Sequence, residues 1–203
     1  MTAAAVAAGR GARAQAQRER ILDAAERCFV AQGFHAASMA SVAQAASMSP
    51  GLIYRYFPSK HAIILGIIER QLEKGRARIA ALSASTDLAQ HLTASFREWR
   101  DRSSAEFNVP LFLSMNADAA RDATIADALR ASDRGIRTEL VAWLQAAAAA
   151  RGGALDATTA APRAALLQSL FEGMALRSVR EPDLDLAAME PQLRRLFAFL
   201  LEP

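Results

Sequence analysis

An all-α fold of about nine helices is what the sequence predicts, and three observations carry the prediction. Hydrophobic residues make up 52% of the 203 and aromatics only 6%, with alanine supplying much of the apolar content. Such a chain is too apolar for general disorder and better suited to helix than to sheet. Apolar residues recur at spacings of three and four, and nowhere alternate with a period of two. Ser, Asp and Pro precede the apolar runs, and Gly or Pro follow them, in the pattern of helix starts and stops.

Taken in order, Ile21, Ala25, Cys28 and Phe29 place one apolar stripe on a first helix from roughly Gln17 to Gln32. Gly33 is set to end it in a left-handed conformation, with Phe34 folding back on Phe29. Ser38 caps a second helix whose Met39, Val42, Ala43 and Ala46 share a face over about eight residues, too few to stand alone. Ser49 and Pro50 then open a third short helix, to about Tyr56, as cap and first helical residue. Pro58 begins a fourth, whose Ile63, Ile64, Ile67, Ile68, Leu72, Ile79 and Leu82 run on to about Ser83. At ~1.5 Å per residue it spans roughly 40 Å, enough to join two domains. Five more helices are expected over about Asp87–Arg100, Ser104–Ala119, Thr124–Ala150, Thr159–Val179 and Asp185–Leu201. Arg151-Gly152-Gly153 and Glu181-Pro182-Asp183 are the clearest breaks.

The net charge is +3, but residues 1–60 carry seven Lys/Arg against three Asp/Glu, and the remainder seventeen against eighteen. The basicity is therefore local, and it suggests a polyanion as partner of the N-terminal part. The single cysteine, Cys28, excludes an intramolecular disulfide and a cysteine-rich metal cluster, and suits a cytoplasmic setting. No apolar run approaches the ~18 residues of a membrane span. The first residues place alanines before arginines, the reverse of a secretory signal. Nucleophile elbows, phosphate-binding glycine loops and metal-ligand spacings do not occur, and His35, His61 and His91 stand isolated. No enzyme activity, metal or cofactor is expected.

The chemistry lies between Gly33 and Lys60. Helix, tight turn, helix is the layout in which the second helix sets its N-terminal turns in the DNA major groove. Ile53 and Phe57 pack toward Val42 and Phe29, which leaves Pro50, Gly51, Leu52, Tyr54, Arg55 and Tyr56 facing outward. Tyrosine hydroxyls in that position suit phosphates, arginine suits guanine O6 and N7, and leucine suits a thymine methyl. Lys60 falls in the first turn of the fourth helix, an end that favours anions, and a bound phosphate would resolve the conflict.

Gly33-Phe34, the Ser38 cap, Val42-Ala43 with Ala45-Ala46, Ser49 and Gly51, Tyr54, Tyr56-Phe57 and Pro58-Ser59-Lys60 together resemble the TetR family of transcriptional repressors. The spacing matches without gaps over about 45 residues from Arg20. The resemblance implies a homodimer that binds a palindromic double-stranded DNA operator, with recognition helices ~35 Å apart, and is released by a small-molecule inducer. On this reading residues 1–16 are a flexible basic arm, 17–60 a helix-turn-helix DNA-binding domain, and 61–203 a ligand-binding and dimerisation domain. Ser38, Tyr54, Tyr56 and Lys60 correspond to phosphate contacts, Pro50, Gly51, Leu52 and Arg55 to groove-facing residues, and Ser49 also belongs to the DNA-binding set. Family members carry glycine where Ser47 stands, so serine is expected to hold a left-handed turn there at some cost. They also carry a charged residue in place of Ala40 or Ser41. Arg13, Arg18 and Arg20 either reach the DNA as an arm or lie in a solvated tail. The rival reading keeps the fold and drops the inducer, as in a nucleoid or cell-division DNA-binding protein.

In the C-terminal half, Pro110-Leu111-Phe112-Leu113 through Asp118-Ala119, and Leu170-Phe171-Glu172-Gly173, are similar to the BetI-type branch. Phe96, Trp99, Phe107, Phe112, Met115, Asn116, Trp143 and Met174 are the candidate linings of a pocket. If the ligand is a quaternary amine, aromatic faces would hold it by cation–π attraction, Trp99 and Trp143 first. Leu166, Leu170, Gly173 and Met174 on one helix, and Leu193, Leu196, Phe197 and Leu200 on the next, are candidates for a four-helix interface between two copies.

Overall fold

The structure, a computed structural model, describes residues 3–83, 87–104 and 106–202. Among these residues it contains nine helices and no strand: α1 (Ala3–Ala36), α2 (Met39–Ala45), α3 (Pro50–Tyr56), α4 (Lys60–Leu82), α5 (Leu88–Arg100), α6 (Val109–Ala119), α7 (Ala123–Ala149), α8 (Ala157–Arg180) and α9 (Leu186–Leu201). The chain divides into two compact units, Met1–Arg70 with Pro110–Leu129, and Gln71–Val109 with Arg130–Pro203. The first thus runs beyond residue 60 and takes in a segment from the middle of the chain.

Helix α1 begins at Ala3, so the stretch expected to be an unfolded arm is helical from there on. Alanine, glutamine and arginine are strong helix formers and outweigh the cost of Gly9 and Gly11. Gly33 interrupts α1 with φ 77 and ψ 159. The positive φ is as expected, but the ψ is extended, so the chain turns sharply and adds one more helical turn instead of closing a left-handed cap. Phe34 still packs edge-on to Phe29, with ring centroids 5.4 Å apart. Ser38 caps α2 in a reciprocal capping box, its hydroxyl accepting from the Ser41 amide at 3.0 Å while the Ser41 hydroxyl accepts from the Ser38 amide at 2.9 Å.

Helix α2 closes through Ser47, at φ 53. The Met48 amide donates to the Ala43 carbonyl at 2.9 Å and the Ser47 amide to that of Gln44 at 3.0 Å. This is a Schellman ending with serine in the left-handed position that glycine fills at least cost. Ser49 caps α3, accepting from the Leu52 amide at 3.3 Å, and Pro50 follows at its first position. Helix α4 starts two residues later than expected. The hydroxyl of Ser59 accepts from the Ala62 amide at 3.1 Å and so makes Ser59 the cap, with Pro58 outside.

The first unit is built on a core of Ile21, Phe29, Phe34, Val42, Ile53, Phe57, Ile63, Ile64 and Ile67, all buried. Leu111 and Met115 of α6 and Ile125 of α7 complete that core. Helix α6 starts at Val109 rather than Ser104, with Pro110 in its first turn, where a missing amide costs no helical hydrogen bond. Arg70 fastens α4 to α1: its Nη1 lies 2.9 Å from Glu19 Oε2 and 2.7 Å from Asp23 Oδ1, and its Nη2 2.6 Å from Glu26 Oε1. The last approach is an ion pair whose angles fall outside those of a hydrogen bond.

In the second unit α5 packs on α8 and α9. Ile79, Leu140, Leu144, Ala160, Ala164 and Leu201 form a core with Trp143. Helices α4 and α7 cross at two glycines. A Cβ at Gly135 would stand 3.0 Å from Leu72 Cδ1, and one at Gly75 would overlap Ile136 Cδ1.

Left-handed backbone costs an L-residue ~1 kcal/mol or more relative to glycine. Ser47→Gly is therefore expected to raise the urea midpoint, adding about 1 kcal/mol of stability to the unit that carries α2. No change, or a loss, would mean that the serine is not strained.

Candidate nucleic-acid interface

Helix α3 has only seven residues and sorts them sharply. Ile53 is fully buried, and Phe57, just past its end, nearly so. Tyr54 is 53% exposed, Pro50, Gly51 and Arg55 are exposed, and Leu52 and Tyr56 are half-buried, Tyr56 against the core. Ser38 and Ser49 are exposed but use their hydroxyl oxygens as helix caps. All nine expected DNA-contacting residues thus keep at least part of their surface exposed.

Lys60 has another role. Its Nζ donates to three backbone carbonyls at the end of α1, those of Phe34 at 2.6 Å, His35 at 3.0 Å and Ala37 at 2.8 Å. It also lies 4.6 Å from the centroid of the Phe34 ring. An ammonium has three protons, and here each has an acceptor inside the protein. Partial burial lowers its pKa, and the negative charge of Asp118 opposes that shift. The carbonyls it reaches give the cation in the first turn of α4 a partner within the protein.

The same use of cations recurs around the short helices. Arg18 Nη1 donates to the Tyr56 carbonyl at the end of α3, at 3.2 Å, with its guanidinium 4.4 Å from the Phe57 ring centroid. Arg27 donates to the Ala45 carbonyl at 3.2 Å and Arg20 to that of Ser47 at 3.4 Å, both at the end of α2. Arg18 and Arg20 are thus engaged with the protein instead of forming an arm. The signal for Arg20 and Arg27 was present as an i, i+7 pair on one face of α1. Arg55 makes no ion pair among the described residues and is left on the open face of α3.

Two histidines meet the segment inserted into this unit. His61 Nε2 lies 2.7 Å from Asp122 Oδ2, and His35 Nε2 4.0 Å from Asp118 Oδ1. The hydrogen bond from His61, followed by the amides of Ile125 and Thr124, holds the Asp122 carboxyl below the usual carboxylate range.

The expected pocket residues are distributed over both units. Phe112, Met115 and Asn116 belong to the first unit, where Met115 is core and the exposed Asn116 donates to the Phe112 carbonyl at 2.9 Å. In the second unit Phe96 and Met174 are buried packing residues, and Trp143 joins the core with Leu144. Trp99 and Phe107 come together, at 5.6 Å between centroids, and both meet Phe171, which was not among the expected linings, at 4.7 and 5.0 Å. The Arg78 guanidinium stands 5.0 Å from the Phe107 centroid and 5.3 Å from that of Phe171, with Nη1 2.9 Å from the Glu106 carbonyl. The rings of Phe107 and Phe171 thus already meet a cation. A separate cleft of about 580 Å³ is lined by Leu82, Trp143, Phe197 and Leu201, with Arg151 and Arg194.

The expected interface also divides. Met174, Leu193 and Leu200 are buried within the protomer, because their side of each helix faces α5 and the neighbouring helix. Leu166, at 56% exposed, and Gly173, with open space around it, lie on the outer face of α8, and Phe199, at 55%, on that of α9.

With helices as the regular secondary structure of its described residues, and with a capped short helix, a left-handed turn and a second short helix bearing an open polar and aromatic face, the protein is of the helix-turn-helix class. Residues 21–67 match the sequence profile of the bacterial regulatory proteins of the tetR family. The regulator UidR of Escherichia coli K12 is 45% identical over 65 residues, 32% of this chain and 33% of the relative, so the match spans about a third of that relative's length. The regulator BetI of Rhizobium meliloti is 29% identical over 164 residues, 80% of this chain and 79% of the relative. Among solved structures, Salmonella enterica GusR superposes with a TM-score of 0.76 at 29% identity, over 91% of this chain and 95% of that one. Residues 21–67 thus carry the tetR-family sequence profile, and the chain is similar over most of its length to TetR-family transcriptional regulators. Its named relatives are regulators rather than enzymes. Among the described residues no helix is long and apolar enough to cross a membrane.

Because the folded carboxyl of Asp122 titrates below its unfolded value, its contribution to stability is present above the ordinary carboxylate range and lost as pH falls through the depressed value. Asp122→Asn should remove part of the acid-induced loss, measured as a shallower fall of the urea midpoint between about pH 5 and about pH 3. Identical pH profiles for the two proteins would show that the His61 contact does not form in solution.

Proposed function

We propose that this protein is a DNA-binding transcriptional regulator that reads its operator with α3, as a dimer of identical chains. One observation carries the reading: a helix too short to fold alone is held with Ile53 buried and Tyr54 and Arg55 turned to solvent. The open face so formed offers a phenol hydroxyl and a guanidinium side by side, held on a rigid element. Duplex DNA fits the set, since Tyr54 and the cap hydroxyls of Ser38 and Ser49 suit phosphates, while Pro50 and Gly51 leave the front of the helix narrow enough for a groove. Arg55 is the cation available to a base edge.

Dimerisation through α8 and α9 is supported by Leu166, Gly173, Leu176 and Phe199, which leave an apolar face on two long adjacent elements. Control by a small molecule in the second unit is supported by the cluster of Trp99, Phe107 and Phe171 around Arg78. The half-buried guanidinium favours an acidic or polar ligand with an apolar body over a quaternary amine. Release from DNA then follows if the ligand binds better to a state in which the paired α3 helices no longer match the operator.

In anisotropy titrations on a duplex enriched from a random pool by the wild-type chain, Tyr54→Phe should weaken binding to every sequence by a few-fold. Arg55→Ala should cost ~1–3 kcal/mol and blur preference at one base pair. Unchanged binding by both variants would remove α3 as the reading element. Light scattering should give twice the 21.8 kDa chain mass for the wild type. The double variant Leu166→Glu, Phe199→Glu should give the single mass, and a monomeric wild type would refute the dimer.

A further inference from the structure

We infer that Lys60 is a positioning residue for DNA recognition: an internal cap that locks the end of α1 to the start of α4, and with it the helix that precedes them, instead of a contact to the DNA backbone. The inference rests on the proposed DNA-binding function. It follows from an accounting of backbone partners. Had α1 run on regularly, the Ser38 amide would have donated to the Phe34 carbonyl and the Ser41 amide to that of Ala37, each four residues back. The capping box of α2 takes both amides, at 2.9 and 3.0 Å, for the hydroxyls of Ser41 and Ser38. Two carbonyls are left without their helical donors at a junction packed against the buried ring of Phe34. Lys60 reaches back across more than twenty residues of sequence and supplies both, and the His35 carbonyl too, from one ammonium group.

The arrangement fixes the recognition helix from one side. Helix α3 ends at Tyr56, and only Phe57, Pro58 and Ser59 separate it from Lys60. The corner cannot rotate without breaking the three hydrogen bonds, and Arg18 holds the Tyr56 carbonyl from α1. Lysine suits this position because three carbonyls arranged around one point match a tetrahedral ammonium. A guanidinium is planar and presents its donors as a fork, suited to a phosphate but not to this tripod.

That contrast supplies the test. Wild type, Lys60→Arg and Lys60→Met are titrated against the enriched duplex and a scrambled duplex of equal length over a range of salt, and each is melted alone. Both variants are expected to lose tenfold or more in affinity for the enriched duplex and to melt several degrees lower. The slope of log affinity against log salt should stay as in wild type, and arginine should not rescue. Wild-type affinity in Lys60→Arg, or a slope flattened by about one in Lys60→Met at an unchanged melting temperature, would establish a phosphate contact and overturn the cap. If Lys60→Met does not fold, the folded Lys60→Arg identifies the Lys60 ammonium signal in the nitrogen NMR spectrum of the wild type. Slow exchange in the free protein, unaltered by duplex, supports the cap, and an ammonium that is protected only with DNA overturns it. A wild type that enriches no duplex at all refutes the DNA-binding function itself.

Discussion

Helix ends govern this architecture. Between Ala36 and Tyr56 three helices stop, two of them only seven residues long, and each leaves carbonyl oxygens that no following turn can satisfy. The longer helices answer with cations: Lys60 from α4 at the end of α1, Arg20 and Arg27 from α1 at the end of α2, and Arg18 from α1 at the end of α3. A hydrogen bond from a charged donor contributes ~1.5–3 kcal/mol, more than helix propensity over seven residues can supply. The short helices persist because their apolar sides close the core and their ends are held from outside. The open face of α3 is a by-product of how completely its other face is occupied.

The same observation changes what the charge of the N-terminal region means. Seven Lys/Arg against three Asp/Glu among residues 1–60 look like a surface prepared for a polyanion. Four of those seven, Arg18, Arg20, Arg27 and Lys60, are directed at the protein's own carbonyls, and the three acids are gathered by Arg70. The cation left on α3 itself is Arg55. Sequence-selective reading by this face would then depend more on hydroxyls, helix geometry and one guanidinium than on a dense basic patch, a balance that favours fit over bulk attraction.

Local patterns were legible in the sequence, and long-range partnerships were not. Ser38, Ser49 and Pro50 declare the starts of α2 and α3, and the four-residue step from Ile53 to Phe57 declares the buried side of α3. Each of these lies within one or two helical turns, whereas the left-handed turn at Ser47 was legible only through the family resemblance. The conflict at Lys60 is local, but the carbonyls it reaches, at Phe34, His35 and Ala37, are distant in sequence. The pocket was illegible for a related reason: an aromatic residue in a helix has the same sequence signature whether it fills a core, like Phe96, or joins a cluster around an arginine, like Trp99. Met174, Leu193 and Leu200 lie on the buried sides of α8 and α9, which the spacing of apolar residues alone cannot distinguish from the outer sides.

The first unit is not a contiguous stretch of sequence, and this bears on how α3 is held. Its core is closed by Leu111, Met115 and Ile125, and its charged junction by Asp118 and Asp122, all from residues that follow α5. The chain therefore passes between the units three times, within α4, at the start of α6 and within α7. The first passage follows Lys60 and His61 along α4, and the other two bracket Asp118 and Asp122, the aspartates that face the histidines. The core that buries Ile53 and Phe57 is thus completed only when a segment from the middle of the chain has folded onto it, so the placement of α3 depends on long-range packing as well as on its own caps.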